Sequence, residues 1–395
     1  MGSNGNEESG LRKPWEAMMN NWFFGRRIQI VIPAFFLVPV LLMLWSRAAV
    51  GAVDSGWQAA WNKTLSAANT EGKVVVYGST DFDRVFAEFQ KKYPRIEVVS
   101  VIGRGAETAQ RIMTERRGRK YIADVYIGGA STGYNVLYKG GVFDPIKPAL
   151  ILPEVLDESN WFKGHLYLDD AGENLFGFGA IALPFVGYNT RLVNPKDFKS
   201  YWDLLDPKWK GKMIGLDPTL GSAVNTYLTF IYYNPALGPK FLRRLLEEMD
   251  LNVSRDTVQI VNQLAAGKYP ISIFTTPSRA GLDDAKAQGL PVDWFGPAHF
   301  KEGMGLGTSN GNLGLVNRAP HPNAARVAIN WLLSRDGQMA YQQIIRTDSR
   351  RIDIPKDSVR PSTRRIDGAR YLEVDSPAMV DMKPVMEVVK EAWKR

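Results

Sequence analysis

The stretch that decides the fold runs from Phe185 to Ser222, with FVGYNTR at its start and YWDLLDPKWKGKMIGLDPTLGS from Tyr201 onward. Val186–Tyr188 is apolar and is predicted to be a strand. A short helix follows and ends before Pro207, because a proline disfavours the helical conformation of the preceding residue. Ile214–Leu216 forms a second strand, and a loop of glycine and hydroxyl residues then leads into a helical run. The stretch thus predicts a strand, a polar loop and a helix in succession.

This unit occurs four times along the chain. The four units are Val74–Tyr77, Gly78–Asp81 and helix Phe82–Tyr93; Asp124–Ile127, Gly128–Thr132 and a helix to Lys139; Ile214–Leu216, Asp217–Ser222 and helix Ala223–Tyr232; and Ile271–Phe274, Thr275–Ser278 and helix Arg279–Gln288. Strand Ile96–Val101 and helix Glu107–Arg117 fit the same scheme. Strands alternating with helices indicate βαβ units, so an α/β fold with mainly parallel sheets is predicted.

The loops of these units are the candidate binding elements. In open α/β sheets, ligands bind beyond the carboxyl ends of the strands, where free amides at helix N-termini favour anionic or oxygen-rich groups. The candidate hydroxyl donors are Ser79, Thr80, Ser131, Thr132, Thr219, Ser222, Thr275 and Thr276. Arg104 and Arg279 are candidate cations for carboxylate or phosphate, and Tyr188 is a candidate for stacking. The alternative is that the hydroxyls cap their own helices and that Tyr188 packs in the core.

Composition sets limits on the kind of protein. A chain of 395 residues is long enough for two lobes with substantial cores. It has no cysteine, which excludes disulfides and cysteine metal sites. The formal net charge of +8 is spread along the chain, with only short basic runs such as Arg116–Lys120. We interpret these charges as a solvated surface and expect no nucleic-acid partner.

The N-terminal segment has the pattern expected of an export signal or a membrane anchor. Arg26 and Arg27 precede the apolar run Ile28–Trp45, which as a helix would be about 27 Å long and could span a bilayer. The basic flank predicts that residues 1–27, a polar or disordered region, stay in the cytoplasm. Either the segment is a signal peptide cleaved after Ala52, or residues 28–47 remain as a transmembrane anchor. Both alternatives place the bulk of the chain in the periplasm.

The combined string resembles a known family. A YNT strand, the segment YWDLLDPKWKGK and then DP with a Gly/Ser loop are similar to the iron(III)-type periplasmic solute-binding proteins of ABC importers. The resemblance extends from about Glu71 to Ser349. It implies a type II periplasmic-binding-protein fold with two α/β lobes, assigned to residues 53–180 plus about 300–345 and to residues 181–299 plus about 346–395.

The resemblance also implies a function. The lobes would close around a small solute and deliver it to an ABC permease, with ATP hydrolysis on separate subunits. The receptor would be a monomer without a cofactor and without catalytic activity. The chain would cross between the lobes near Ala180–Val186 and return near Trp294–Gly303, and the glycine-rich stretch Gly303–Gly314 is interpreted as a flexible loop beside the return crossing.

The ferric-ion ligands of the family do not carry over. The position of the family's first-loop histidine corresponds to about Thr80, and that of its second-loop glutamate to about Gly129. Thr275 and Thr276 stand where the family has a tyrosine pair. The adjacent Tyr232-Tyr233 are interpreted as packing residues. Because ferric iron needs hard anionic oxygen ligands, the solute is expected to be an organic or phosphorylated anion, or an iron chelate that brings its own donors.

Two other classes of protein remain as alternatives. An enzyme could use His165 with Asp169 and Asp170, but no HExxH or G-x-S-x-G motif is present, and a solvated loop is the expected structure of this segment. A membrane-tethered ligand sensor would use the same fold as the transport receptor, although no signalling module is attached.

Overall fold

The structure is a computed structural model that describes residues 56–275 and 281–394. The predicted export segment and the predicted residues Thr276 and Arg279 lie outside the described residues. Within the described ranges, no helix has the length and apolar character needed to cross a membrane.

The elements follow one another with short connections. The helices are α1 (56–71), α2 (Phe82–Lys92), α3 (Gly105–Arg117), α4 (Ala130–Thr132), α5 (Pro153–Leu156), α6 (Ser222–Tyr233), α7 (Gly238–Glu248), α8 (Thr257–Ala265), α9 (Leu282–Ala287), α10 (Pro322–Leu333), α11 (Arg335–Ile345) and α12 (Lys383–Ala392). A π-helical turn, Gly133–Tyr138, follows α4, and short 3-10 turns lie at Lys147–Ala149, Glu158–Asn160, Pro195–Asp197, Tyr201–Leu205, Pro207–Trp209 and Pro361–Thr363.

The strands form three sheets. They are β1 (Lys73–Gly78), β2 (Glu97–Ile102), β3 (Val125–Gly128), β4 (Phe143–Asp144), β5 (Leu166–Tyr167), β6 (Leu175–Gly177), β7 (Ile181–Leu183), β8 (Val186–Asn189), β9 (Met213–Leu216), β10 (Asn252–Ser254), β11 (Ile271–Ile273), β12 (Val292–Trp294), β13 (Met304–Gly307), β14 (Asn312–Val316) and β15 (Tyr371–Glu373).

The two larger sheets form the centres of two lobes. The first has the order β2-β1-β3-β14-β6-β5, with β4 paired to β14, and the second has the order β10-β9-β11-β8-β12. Only β1, β2 and β3 in one sheet, and β9, β10 and β11 in the other, are parallel. The prediction of mainly parallel sheets is therefore wrong. Val186 at the start of β8 pairs with Ile273 at the end of β11, and Asn312 at the start of β14 pairs with Gly128 at the end of β3. Both strands therefore start at the carboxyl edge of the parallel strands and run antiparallel to them.

A third, smaller sheet has the order β15-β13-β7. Its strands β7 and β13 lie, in sequence, where the chain passes from one larger sheet to the other. The chain leaves the first sheet at β7 and returns to it through β13, and Gly305 of β13 pairs with Leu183 of β7. The prediction of a flexible loop at Gly303–Gly314 is wrong, because this stretch contains β13 and most of the buried strand β14. Its glycines allow backbones to pack closely.

Each lobe has its own apolar core, and the helices cover the sheets with stripes of apolar residues. Helix α2 buries Phe82, Val85, Phe86 and Phe89 on one stripe, and Lys91 and Lys92 lie at its C-terminal end, where cations are favoured. Helix α12 packs in the same way on the second lobe, burying Val385, Val388 and Val389.

The segment between α11 and β15 lies beside the first sheet. Ala180 N donates to Asp348 O at 2.8 Å, and Arg350 N donates to Phe178 O at 2.7 Å. The C-terminal residues from 346 onward thus contact both lobes, and the exact lobe boundaries stay a prediction.

Candidate functional site

Three loops of the first lobe lie together at the carboxyl edge of its parallel strands. Ser79 N donates to Ile127 O at 3.1 Å, which joins the loop after β1 to the end of β3. Gly103 N donates to Gly78 O at 3.1 Å. The absence of a side chain at Gly105 leaves room for Thr132, whose Oγ1 would lie 3.5 Å from a Cβ added there. The predicted residues Ser79, Arg104 and Thr132 therefore occupy one edge.

The side chains at this edge differ in their exposure and in their hydrogen-bond partners. Ser79 is 5% exposed, and its Oγ has no hydrogen-bond partner among the described residues. Thr80 is exposed, as is Ser131, whose Oγ accepts from Asn135 Nδ2 at 3.3 Å. The Arg104 side chain is 88% exposed and pairs with Glu107 at 2.9 Å, so its charge is already matched. Ser79 is therefore the buried hydroxyl of this group that lacks a partner in the described chain, whereas Thr80 and Ser131 are the exposed ones.

The second lobe brings its own loops together at the same kind of edge. Ile273 of β11 pairs with Gly215 of β9, so the loops after these strands are neighbours. Tyr227, on the helix that follows the third loop, donates its hydroxyl to Thr275 O at 3.0 Å. Thr275 is 2% exposed, and its Oγ1 has no partner within residues 56–275 and 281–394. Thr275 is thus the counterpart of Ser79 in the second lobe.

The third loop is ordered by its own aspartate. Asp217 accepts from the backbone N–H and the hydroxyl of Thr219 at 2.9 and 2.7 Å, and it pairs with Arg255 at 3.3 Å. Burial opposes ionisation of Asp217, but these donors outweigh it, and its pKa lies below the usual value. The Thr219 hydroxyl is therefore bonded within its own loop, and it does not cap α6, whose N-cap residue is Gly221 and has no side-chain cap hydrogen bond. Ser222 is the first residue of α6.

Tyr188 lies apart from these loops. It pairs with Ile271 at the amino end of β11, whereas Thr275 follows the carboxyl end of that strand. Its ring centroid is 4.7 Å from that of Phe295, and the side chain is 7% exposed. Burial raises the pKa of its hydroxyl. The structure places Tyr188 in the packed core of the second lobe.

Sequence reasoning missed two buried amides near these loops. Asn312 begins β14, is fully buried, and donates from Nδ2 to Gly128 O at 2.8 Å and to Ser309 O at 3.0 Å. It thereby holds the second loop against the turn before β14. Asn225 lies in the first turn of α6, and its Oδ1 is enclosed without a partner in the described chain, as is Asn312 Oδ1. The sequence signal for Asn312 was a polar residue within an apolar strand. It was missed because residues 303–314 were interpreted as a flexible loop.

The segment proposed for an alternative enzyme has structural roles. His165 Nε2 lies 2.8 Å from Val155 O, and the ring packs edge-on against Trp161 and Phe176. Asp169 accepts from the backbone N–H groups of residues 173, 174 and 175. Asp170 accepts from the Tyr134 hydroxyl at 2.7 Å, which raises the pKa of that tyrosine to about 12. The expectation of a solvated loop is wrong, since Asp169 is 3% exposed.

An Asp169→Asn variant is expected to be less stable at pH 7 by about 2 kcal/mol, because the buried carboxylate loses charge-assisted hydrogen bonds. Burial would raise the pKa of Asp169, but its four donors lower it overall. A lowered pKa in the folded state means that the carboxylate stabilises the protein above the unfolded pKa of about 3.9 and loses this effect as the pH falls through the folded value. Urea unfolding at pH 7 and pH 3 should therefore show a gap between parent and variant that shrinks at pH 3. A constant gap would contradict this account.

Imidazole and carboxylate side chains do not form a metal-binding cluster in the part of the chain that the structure describes. Across residues 56–275 and 281–394, no group of three or more His, Asp and Glu side chains is arranged to hold a metal ion. Tyr232 and Tyr233 end α6 and pack against the core of the second lobe, as predicted. The two edges are instead rich in neutral hydroxyl and amide groups, which suit an oxygen-rich molecule better than a bare cation.

Comparison with known proteins places the chain in a family. The profile of the bacterial extracellular solute-binding proteins matches residues 78–339, well over half of the sequence. The chain belongs to this family. An uncharacterised protein of Haemophilus influenzae is 26% identical to this solute-binding protein over 302 residues, which are 74% of this chain and 82% of the relative.

Solved structures show that the fold is shared. The Trichodesmium protein FutA, in complex with iron and citrate, aligns with a TM-score of 0.62 at 18% identity, covering 82% of this chain and 100% of FutA. The periplasmic binding protein AfuA of Actinobacillus pleuropneumoniae, with bound fructose 6-phosphate, aligns with a TM-score of 0.54 at 18% identity, covering 82% of this chain and 99% of AfuA. The solute-binding protein described here therefore has the two-lobed periplasmic-binding-protein fold.

Proposed function

We propose that this protein is the extracytoplasmic receptor of an ABC importer and captures a small anionic or oxygen-rich solute between its lobes. The observation that carries the proposal is the pair of matching edges, one on each lobe. Each edge holds strand-end loops, a helix N-terminus and an almost fully buried hydroxyl that has no partner among the described residues, namely Ser79 on one lobe and Thr275 on the other. The strands β7 and β13, at which the chain crosses between the lobes, would serve as the hinge.

The donor set favours a solute that brings its own charge or metal. Iron and citrate are the ligands named for FutA, and fructose 6-phosphate is the ligand named for AfuA. Citrate and fructose 6-phosphate are both rich in oxygen acceptors. Hydroxyls and free backbone amides can bind such oxygens without a full cation. The solute class proposed here is therefore an organic or phosphorylated anion, or an iron chelate, rather than free ferric ion.

A ligand panel tests this proposal. We expect fructose 6-phosphate, ferric citrate, a phosphonate or an unphosphorylated sugar acid to raise the melting temperature, whereas ferric chloride alone should not, because binding to the native state stabilises it by mass action. A Thr275→Val variant should bind the stabilising solute about 3- to 10-fold more weakly, which corresponds to the loss of one hydrogen bond. The control is Thr114→Val, which changes an exposed threonine on α3.

Two outcomes would contradict the proposal. One is the absence of stabilisation by any oxygen-rich anion or chelate. The other is equal affinity of the Thr275→Val and Thr114→Val variants for the stabilising solute, measured by isothermal titration calorimetry.

We further propose that the receptor acts in the periplasm, as a monomer, and that residues 28–47 direct its export. An importer permease and its ATPase subunits would be the partners, since no GK[ST] phosphate loop occurs in this sequence. N-terminal sequencing of protein from membrane and soluble fractions distinguishes the two forms of the export segment. A start at Val53 identifies a cleaved signal peptide, and an intact N-terminus in the membrane fraction identifies an anchor.

A further inference from the structure

The segment after α11 is fastened to the first lobe at both ends. At its beginning, Asp348 and Arg350 bond to the backbone of residues 178–180, as described above. At its end, Arg365 N donates to Asp348 Oδ2 at 2.8 Å, and the Arg365 guanidinium lies over the Phe162 ring at 4.2 Å. Arg360 N donates to Arg346 O at 3.2 Å, which closes the loop at its middle. The segment is thus attached to the first lobe at residues 178–180 and at Phe162.

The turn in this segment reaches the second lobe. Ser362 N donates to Asp283 Oδ1 at 2.9 Å, and the Ser362 hydroxyl donates to the other oxygen of the same carboxylate. Arg360 and Asp284 form an ion pair at 3.6 Å. Ser362 is only 4% exposed. Two donors on one carboxylate, shielded from water, make a strong and directional contact.

The acceptor of these bonds belongs to the second lobe without ambiguity. Asp283 lies on α9, whose Leu282 and Ala285 pack in one apolar cluster with Val261 and Leu264 of α8 and Val292 of β12. A displacement of the second sheet therefore carries α9 with it. Helix α9 also follows, in sequence, the loop that begins at Thr275 and contains the predicted residues Thr276 and Arg279.

The contact is separate from the strands that connect the lobes. The crossing strands β7 and β13 are joined by backbone pairing. Such a connection permits the lobes to rotate relative to each other. A side-chain contact between α9 and the turn Pro361–Thr363 must either move with that rotation or restrict it. Because the carboxylate accepts from two donors, separation of the two elements would break two charge-assisted hydrogen bonds at once, which opposes it.

We propose that Asp283 and Ser362 are positioning residues, forming an interlobe tie that sets the separation of the two solute-binding edges. This inference rests on the proposed receptor function and adds a determinant of its open and closed states. Removing the tie would widen the range of lobe separations before any solute is bound.

Distances between spin labels on the two lobes test the tie directly. The chain has no native cysteine, so Lys63→Cys on α1 and Lys240→Cys on α7 give two unique labelling sites, both exposed. In solute-free protein, we expect a Ser362→Ala variant to broaden or shift the interlobe distance distribution measured by pulsed electron spin resonance. Ser362→Thr, which keeps the hydroxyl, should restore the parent distribution, an outcome that a purely local packing role would not require.

Two further variants make the result decisive. Asp283→Asn should reproduce the effect of Ser362→Ala, since it removes the charge that strengthens both bonds. Asp336→Asn breaks the Lys92–Asp336 pair of 2.6 Å, which lies within the first lobe, and should leave the distribution unchanged. Distributions identical to the parent in both tie variants, with folding confirmed by circular dichroism, would overturn the inference. Because no solute is used, that result would leave the receptor proposal standing, and failure of the ligand panel would not affect the tie.

Discussion

A Gly179→Ala variant is expected to lose at least about 3 kcal/mol of unfolding free energy, because the added methyl group has no room and the obstacle is backbone. A Cβ on Gly179 would lie 2.3 Å from Thr308 O and 3.3 Å from Gly311 Cα. Gly179 lies where the chain leaves the first sheet and approaches β7. At this point it contacts the turn that connects β13 to β14, and Gly179 N donates to Gly311 O at 3.1 Å. Relief of the clash must push these two crossings apart.

Urea unfolding gives the measurement for Gly179→Ala, with Gly296→Ala as a matched control. A Cβ on Gly296 would meet nothing within 4 Å, and its backbone is not in the left-handed region. The control should therefore differ from the parent by about 0.5 kcal/mol or less. Equal stability of the two variants would show that residues 179 and 311 do not approach as closely as described.

An Arg351→Ala variant is expected to lose about 3 kcal/mol, the second large effect. The side chain is 1% exposed and bonds to Asp353 through Nε and Nη2 at 2.8 and 2.7 Å. It also pairs with Glu154 at 3.2 Å, donates to Leu333 O at 3.1 Å, and lies over the Trp161 ring at 5.5 Å. Removal leaves a cavity beside Trp161 and leaves these acceptors without their donor.

Arg351→Lys should recover little of this loss, because an ammonium group cannot reproduce the planar fork that meets Asp353. The comparison is Arg243→Ala, which removes an exposed arginine paired with Glu391 at 2.8 Å. Surface pairs contribute about 0–1 kcal/mol, so this variant should stay close to the parent. Thermal and urea unfolding of the three variants check the ranking, and a loss at Arg243 as large as that at Arg351 would contradict it.

Much of the architecture was predictable because the signals were local. The apolar runs predicted β8 and β9, and Pro207 predicted the end of the helical turn between them. In the structure, Asp206 ends the helical turn Tyr201–Leu205 in an extended conformation before Pro207. The strand directions were not predictable in this way. Pairing of β14 with β3 joins residues almost two hundred positions apart, and its antiparallel sense follows from the route of the chain between lobes.

The candidate site was predictable only in part for the same reason. A hydroxyl at a strand end signals either a ligand contact or a local hydrogen bond. Only the folded chain shows that the Thr219 hydroxyl donates to Asp217, whereas the hydroxyls of Ser79 and Thr275 have no partner among the described residues. The tie between Asp283 and Ser362 left no local pattern, and the one signal of Asn312, a polar residue in an apolar strand, was missed because 303–314 was interpreted as a loop. Their roles arise from contacts across the fold, which a single sequence does not display.

Capture of the solute between the two edges is best tested by hydrogen exchange of backbone amides, measured with and without the solute that raises the melting temperature most. We expect protection in loops from both lobes, at residues 79–81 and 128–132 on the first and residues 217–221 on the second, because the solute would bridge the two edges. Protection confined to one lobe, or located at the amino edges of the sheets, would contradict it.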